Sequence, residues 1–280
     1  MSDLNINQLP DPVAVDQLEY DAIVLANAAR AQLENASPSD PAYRVMLANS
    51  YRELLVRQDF NERSKSVMLA YASGGYLDHI GTTYYRDPNG SPVVRLLGET
   101  DDNYRARLQL SPEGLSVAGP EEAYRFHCRS ASPLIKDVGV DSPAPVSVVL
   151  SILTNEGDGT PSPELLQRVD NYIQPFRPFT DQVLVQPTEI LGYSIEARLW
   201  LRQGAALVEG ELLSLSQSRA QGYVDYQHRR RGRAVGSGVN AALTVEGVEQ
   251  VDLIGWSDVV ATELQAPYCT ALNVTIAGYV

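Results

Sequence analysis

Glu99-Thr100-Asp101-Asp102-Asn103-Tyr104-Arg105-Ala106-Arg107, then Ser116-Val117-Ala118-Gly119-Pro120-Glu121-Glu122-Ala123-Tyr124, then Asp137-Val138, is the stretch around which the chain is organised. It reads as two short helices with marked starts. Thr100 is placed to cap the first, with Asp101 and Asp102 where a helix dipole favours negative charge. The second opens at Gly119-Pro120-Glu121-Glu122, and Pro120 suits a first helical position because its missing N–H is not needed there. Ser132-Pro133 ends that helix, and Ile135 to Val140 reads as a strand. No nucleophile, base and orienting group converge here, so the stretch is scaffold.

Working outward toward the N-terminus, residues 1 to 15 read as an extended arm. From Asp16, apolar residues fall at Leu18, Ala22, Leu25, Ala29 and Leu33, a helical stripe of near-heptad spacing. Ser37-Pro38-Ser39-Asp40-Pro41 breaks it. A second helix is expected from about Tyr43 to Ala72, with Leu47, Tyr51, Leu54 and Leu55 on one face and a polar middle from Arg57 to Lys65. Two long helices with narrow stripes make a weak core by themselves. They fit either a coiled-coil-like bundle with partners or a hairpin folded onto the rest of the chain. Gly74 and Gly75 are expected to end the long helix, with Leu77 and Ile80 anchoring the following turn.

Toward the C-terminus, Val146 to Leu153 is an apolar, β-branched run and reads as a buried strand. The Glu156-Gly157-Asp158-Gly159-Thr160-Pro161 turn follows, and Ser162 or Thr160 can cap a helix reaching Ile173. Val183-Leu184-Val185 resumes as a strand, completing a β-α-β unit. Leu191 to Leu201 alternates, with Tyr193, Ile195, Ala197, Leu199 and Leu201 on one face. Helices over about 205–227 and 236–243 and strands over 248–254 and 270–277 complete the pattern. The expected class is α+β, small mixed sheets with helices laid on one face. The expected divisions are an arm with long helices (1–90), a central helical linker (91–144), a β-α-β module (145–187) and a C-terminal α+β module (188–280).

Composition narrows the function. The chain has 280 residues, 44% of them hydrophobic, and a formal charge of −13. Such an acid excess disfavours general nucleic-acid binding, which needs a positive face. No apolar run is long enough for a membrane span. The first residues lack the basic and apolar regions of a signal peptide, and two cysteines cannot form a disulfide framework, so synthesis in a cytoplasm is expected.

Neither a metal site nor a cofactor is expected. His79, His127 and His228 lie in three separate elements, and no paired-ligand spacing is present. Cys128 and Cys269 read as small apolar residues rather than reactive thiols. The 156–160 turn lacks the lysine of a phosphate loop and the carboxylates of an EF-hand. Asp101/Asp102 and Glu121/Glu122 are accounted for by helix dipoles, so no acid–base role is assigned and no catalytic residue is expected. His228-Arg229-Arg230-Arg231-Gly232-Arg233 is the one strongly basic patch. A nucleic-acid contact lacks supporting aromatics, a solvated helix end is a simple reading, and an ion-pairing surface for an acidic neighbour is preferred.

The wording of several segments resembles the baseplate J family, wedge proteins of contractile phage tails and related injection machines. That family carries a T-D-x-x-[YF]-R-x-R helix, a [ST]-x-A-G-[ST/P]-x-x-x-Y helix and a K-D-V strand. Here these positions are Thr100, Asp101, Tyr104, Arg105, Arg107, Ser116, Ala118, Gly119, Tyr124, Lys136, Asp137 and Val138. Its A-x-G-x-x-L-D step is similar to the segment holding Gly74, Leu77 and Asp78. Its G-D-G-T-P-S turn resembles Gly157, Asp158 and Gly159 with their neighbours, and its [RH]-P-x-[TG]-[DV] segment the run through Pro178. The step into the last strand holds Cys269. The basic patch keeps only part of the family pattern.

The resemblance implies a structural role in a six-fold baseplate ring around a tail hub, within a virion or headless tail particle. It implies pairing with a second, baseplate I-like wedge protein, contact with a lysozyme-like-fold sheath-adaptor protein, and homodimerisation, with no nucleic acid, membrane or cofactor involved. Bundle contacts are expected at Leu18, Ala22, Leu25, Leu33, Leu47, Tyr51, Leu54 and Leu55, and ion-pairing contacts at Arg229, Arg230, Arg231 and Arg233. The rival reading from another class is a tail-associated cell-wall or polysaccharide hydrolase, which would need two carboxylates across a cleft.

Overall fold

In strand β4 (Glu189–Leu201), Tyr193, Ile195, Ala197, Leu199 and Leu201 are all buried, while the residues between them are open or half-open. Period-two alternation of this kind gives a sheet one dry face. In the computed structural model, which describes residue 12, residues 19–204 and residues 209–280, β4 is the centre of a three-stranded sheet. Strand β6 (Val248–Leu253) runs antiparallel to it and β8 (Gln265–Tyr279) parallel. Helices α7 (Glu209–Gln227) and α8 (Gly236–Leu243) contribute Ala220, Val224, Val239 and Leu243 to the core over its dry face. The two-residue strands β5 (Arg233–Ala234) and β7 (Val259–Val260) form a small ribbon beside it.

A second sheet precedes this one in the chain. Strand β1 (Ile135–Ala144) pairs antiparallel with β2 (Ser147–Thr154), and β2 pairs in parallel with β3 (Gln182–Pro187). The crossover between β2 and β3 is helix α6 (Pro163–Ile173), capped by Ser162, whose Oγ accepts from the Leu165 N–H at 3.3 Å. Helix α5 (Glu121–Ala131) and α6 bury Tyr124, Cys128, Leu165, Val169 and Ile173 together with Val138, Leu150 and Ile152 of the sheet. The α+β class follows directly. The 144/145 boundary expected from sequence falls inside the β1–β2 hairpin, so residues 91–144 and 145–187 share one sheet. Val146, with φ at +71°, closes that turn.

The chain divides into two compact units, residues 1–85 and 86–280. Within the first, α1 (Tyr20–Ala31) and α2 (Pro41–Ser66) pack on each other as a helical hairpin, Tyr20 reaching Leu47 and Asn27 reaching Ser50, followed by α3 (Gly74–Tyr84). The start of α2 is well determined: Asp40 accepts from the Ala42 N–H at 2.8 Å and Pro41 occupies the first turn. Its end comes six residues before Ala72, the expected limit. At that end the Ser66 hydroxyl bonds the Arg63 carbonyl, a local alternative to continuing the helix. Gly74 does not terminate α2 but opens α3, taking φ of +51°, with Leu77 buried. Pro120 likewise stands one place earlier than expected, as the extended residue before α5 rather than inside its first turn.

Candidate functional site

The start of helix α4 (Asp101–Gly114) shows what the T-D-x-x-Y-R-x-R wording does physically. Thr100 Oγ1 accepts from the Asn103 N–H at 3.3 Å, as its position predicts. Tyr104 is fully buried and donates its hydroxyl to the Val93 carbonyl at 2.7 Å. One turn on, Arg107 grips both oxygens of Glu99 at 2.8 and 2.7 Å and also the Val94 carbonyl at 2.7 Å. The side chains of Arg107 and Glu99 are 4% and 2% exposed, a bidentate pair out of water. Arg95 pairs with Asp101 at 2.7 Å and Arg105 with Asp102 at 2.7 Å. The motif therefore pins the 93–99 segment onto α4.

The later motifs join the same way. Gly119 takes φ of +70°, and a Cβ there would stand 2.5 Å from Cγ of Pro178. Gly159, at φ of +93°, leaves no room for a side chain against Leu153 and the His228 ring. Asp158 accepts from the Thr160 N–H at 3.0 Å, closing the turn, and its backbone carbonyl lies 3.1 Å from His228 Nε2. His228 also meets Lys136 Nζ at 3.2 Å through Nδ1, and both groups are held below their usual pKa, chiefly by burial. Cys269 lies at the β4–β8 register shift, opposite Tyr193, and burial raises its pKa.

The basic patch has a different destination from the expected one. Arg230 turns inward to Glu263, in the turn before β8, and Arg231 reaches the same carboxylate from the exposed side. Arg230 Nη1 stands 3.0 Å from Glu263 Oε1, and Arg231 pairs with Oε2. Arg125 of α5 reaches the same carboxylate at 2.7 Å and the Val138 carbonyl at 3.1 Å. Asp137 collects Arg129 at 3.5 Å and Arg230 at 3.4 Å. Gly139 admits this junction, because a Cβ there would lie 2.3 Å from the Glu263 carbonyl oxygen. For Arg230 and Arg231 the acidic neighbour is thus within the chain. Arg229 instead stacks on Tyr226, 4.3 Å from the ring centroid, and Arg233 is exposed in β5. The sequence reading missed Arg125, Arg129, Asp137 and Glu263 as members of one cluster. No local spacing signals it, because its members come from α5, β1, the turn after α7 and the turn before β8.

The helical hairpin closes on residues largely outside the stripe named for bundle contacts. Ile23, Ala28, Met46 and Ser50 are buried, and Asn27 bridges to Ser50 Oγ at 3.1 Å and Glu53 Oε2 at 2.9 Å. Leu25 lies about 200° round the helix from Ile23 at roughly 100° per residue and is 71% exposed. Ala22, Tyr51 and Leu55 are exposed too, whereas Leu33, Leu47 and Leu54 are half-buried. Leu18 lies outside the described residues. Val45, Val56 and Phe60 add further exposed apolar surface to α2, Phe60 at 66%. Among the described residues no group of three or more His, Cys, Asp or Glu is placed to hold a metal ion, and no helix is long and apolar enough to cross a membrane.

Comparison with known proteins gives this geometry its family. The pattern described as the Baseplate J-like N-terminal domain matches residues 38–86, and that of the Baseplate J-like central domain matches residues 116–187. Baseplate protein J of Escherichia phage P2 is 36% identical over 302 aligned positions, covering 98% of each chain. The chain belongs to the baseplate J family. Within a baseplate J chain, the central-domain match takes in α5, the whole first sheet and both halves of the Gly119–Pro178 contact. The N-terminal match takes in α2 and α3.

Proposed function

We propose that the protein is a structural, non-catalytic wedge component of a contractile-tail baseplate, in a phage virion or a headless tail particle. The observation that carries this reading is the match to a baseplate protein along 98% of both chains. The described surface supports it. The hairpin leaves Leu25, Tyr51, Leu55, Val56 and Phe60 open, an apolar area of the kind that marks association sites.

In this reading α1 and α2 complete a helical bundle with a second, baseplate I-like wedge protein. Residues 188–280 mediate contacts between copies, and a lysozyme-like-fold adaptor connects the wedge to the sheath. Six wedges surround the hub, and the ring widens on firing by rigid-body movement about these contacts. Synthesis and assembly take place in the host cytoplasm.

Co-expression with the products of neighbouring open reading frames, followed by size-exclusion chromatography with light scattering, tests the proposal. A stable hetero-oligomer containing this chain and one further wedge protein is expected. Replacing Leu25 and Leu55 with Asp should abolish it while leaving the circular dichroism spectrum intact. Continued co-purification of that double variant would remove the hairpin from the interface, and a lytic band on a peptidoglycan gel would overturn the non-catalytic assignment.

A further inference from the structure

His228 directly follows α7, and its ring is held from three sides. Nε2 lies 3.1 Å from the Asp158 carbonyl, which only accepts, so that nitrogen carries the proton. Nδ1, 3.2 Å from Lys136 Nζ, then offers the lone pair to which the lysine donates. The Tyr268 ring meets the imidazole edge-on with centroids 5.2 Å apart, and a Cβ on Gly159 would stand 3.0 Å from Nε2. A bulge in β1 brings the lysine there. Ile135 pairs with Thr154 and Asp137 with Leu153, so Lys136 is an extra residue in the ladder. Lys136 and Asp137 consequently both reach the segment after α7, Asp137 by accepting from the Arg230 N–H at 3.2 Å. On the other side, the Gly159 carbonyl accepts from the Thr154 N–H at 2.8 Å and ties the turn to β2. One neutral ring therefore joins β1, the 156–160 turn and the C-terminal module.

We propose that His228 is a pH-sensitive bolt between the two sheets, closed while the imidazole is neutral and drawn when it takes up a proton. Protonation turns Nδ1 into a donor facing another donor and sets like charges 3.2 Å apart. The contact with Lys136 must then break. The surroundings of the ring act in both directions. Burial and then Lys136 of β1 disfavour the imidazolium, while the Asp158 carbonyl and carboxylate in the turn and Asp225 on α7 favour it. Asp158 is already engaged by the Thr160 N–H and Asp225 by the Gln221 side chain. Arg229 and Arg230, next in sequence, turn to Tyr226 and to Asp137 with Glu263. The disfavouring pair prevails, and the His228 pKa is held below its ordinary value of about 6.5. A depressed histidine gives stability that is complete above about 6.5 and is lost as pH falls toward the folded value. The neighbouring Asp137–Arg230 attachment involves no imidazole, so acid releases the junction at one point. The bolt is a property of this chain and stands apart from the wedge reading.

Imidazole NMR and hydrogen exchange on the full-length chain test it. With three histidines, His79, His127 and His228, each titration is assigned by substitution. The His228 midpoint should lie below the ordinary imidazole value, and Lys136→Met should shift it upward. Exchange is compared at about pH 7.5 and 5.5, on either side of that value, after correction for intrinsic rates. Protection over 156–160 and 228–233 should be lost at the lower pH while that of β4 persists. His228→Gln, whose amide donates to Asp158 and accepts from Lys136, should keep protection at both values. His127→Gln should lose it as the wild type does, which separates the bolt from the histidine buried in α5. A His228 midpoint at or above the ordinary value, or one that Lys136→Met leaves in place, would overturn the proposal. So would wild-type protection indifferent to pH, or an acid loss that His228→Gln retains. Should the glutamine variant fail to fold, the wild type and Lys136→Met decide the question between them.

Discussion

Tyr124 and Asp181 lie 57 residues apart in sequence, and the phenol donates to the carboxylate Oδ2 at 2.6 Å. The same carboxylate oxygen would lie 3.3 Å from a Cβ on Gly119, and Pro178 packs onto that glycine. Two motifs that look independent in the sequence are thus two halves of one contact, fastening the start of α5 to the turn before β3. Burial first, then the bond to Asp181, raises the Tyr124 pKa far above the usual phenol range.

Tyr124→Phe keeps the ring and deletes the donor to a charged acceptor, which is worth about 1.5–3 kcal/mol. Urea denaturation should show that loss as a lower midpoint with an unchanged slope. An unaltered midpoint would mean that the ring alone carries the contact.

Gly119→Ala should cost more than a typical surface change, because it combines a positive φ with a 2.5 Å approach to Pro178 Cγ. Backbone strain accounts for about 1–3 kcal/mol. Pairing it with Pro178→Ala should recover the steric part and leave the backbone part, a double-mutant cycle with a nonzero coupling.

Breaking the Glu99–Arg107 pair from one side strands a buried charge. Arg107→Met alone should destabilise by about 3–5 kcal/mol. Glu99→Leu/Arg107→Met should lose less than the two single variants summed, again read by chemical denaturation. Additive losses would show that the two side chains act independently.

Glu263→Gln removes the charge that Arg125, Arg230 and Arg231 share. Trypsin should then cut after Arg230 and Arg231 faster than in the wild type, and the melting temperature should fall. Equal cleavage rates would place the stability of that junction in its backbone bonds instead.

His127 supplies a pH dependence. It is buried, stacks on Phe176 with ring centroids 4.1 Å apart, and its Nδ1 has no hydrogen-bond partner. Burial lowers its pKa to about 4, a backbone contact at Gly114 opposing this in part. Unfolded, the imidazole titrates near 6.5, so between roughly pH 6.5 and 4 the unfolded chain holds the extra proton. The histidine's neutral burial therefore favours folding fully above about 6.5, progressively less down to about 4, and is flat below. His127→Gln should flatten the wild-type fall in melting temperature across that window. Parallel pH profiles would assign the fall to other groups.

The sequence made much of this legible where one local rule decided. The alternation in β4, the Thr100 and Ser162 caps and the β2-α6-β3 crossover are read directly from spacing and cap chemistry. The hairpin faces were not. An Ala-rich 12-residue helix carries apolar groups nearly all round, so Ile23 and Leu25 compete, and only the position of Met46 and Ser50 selects Ile23. Asp137 and Glu263 were invisible for another reason. Their partners come from α5 and from the turn after α7, and no local spacing announces a junction that exists only once two sheets meet.

Between Pro187 and Glu189 the chain has one residue, Thr188, buried and tied by its N–H to the Ile152 carbonyl at 3.0 Å. The first sheet hands the chain to the second with no slack. A pull transmitted along β4 therefore arrives at β3 lengthwise. Because β3 lies parallel to β2 over Gln182–Pro187 against Ser147–Ile152, that pull loads the ladder in shear, and its bonds must yield together rather than unzip one at a time.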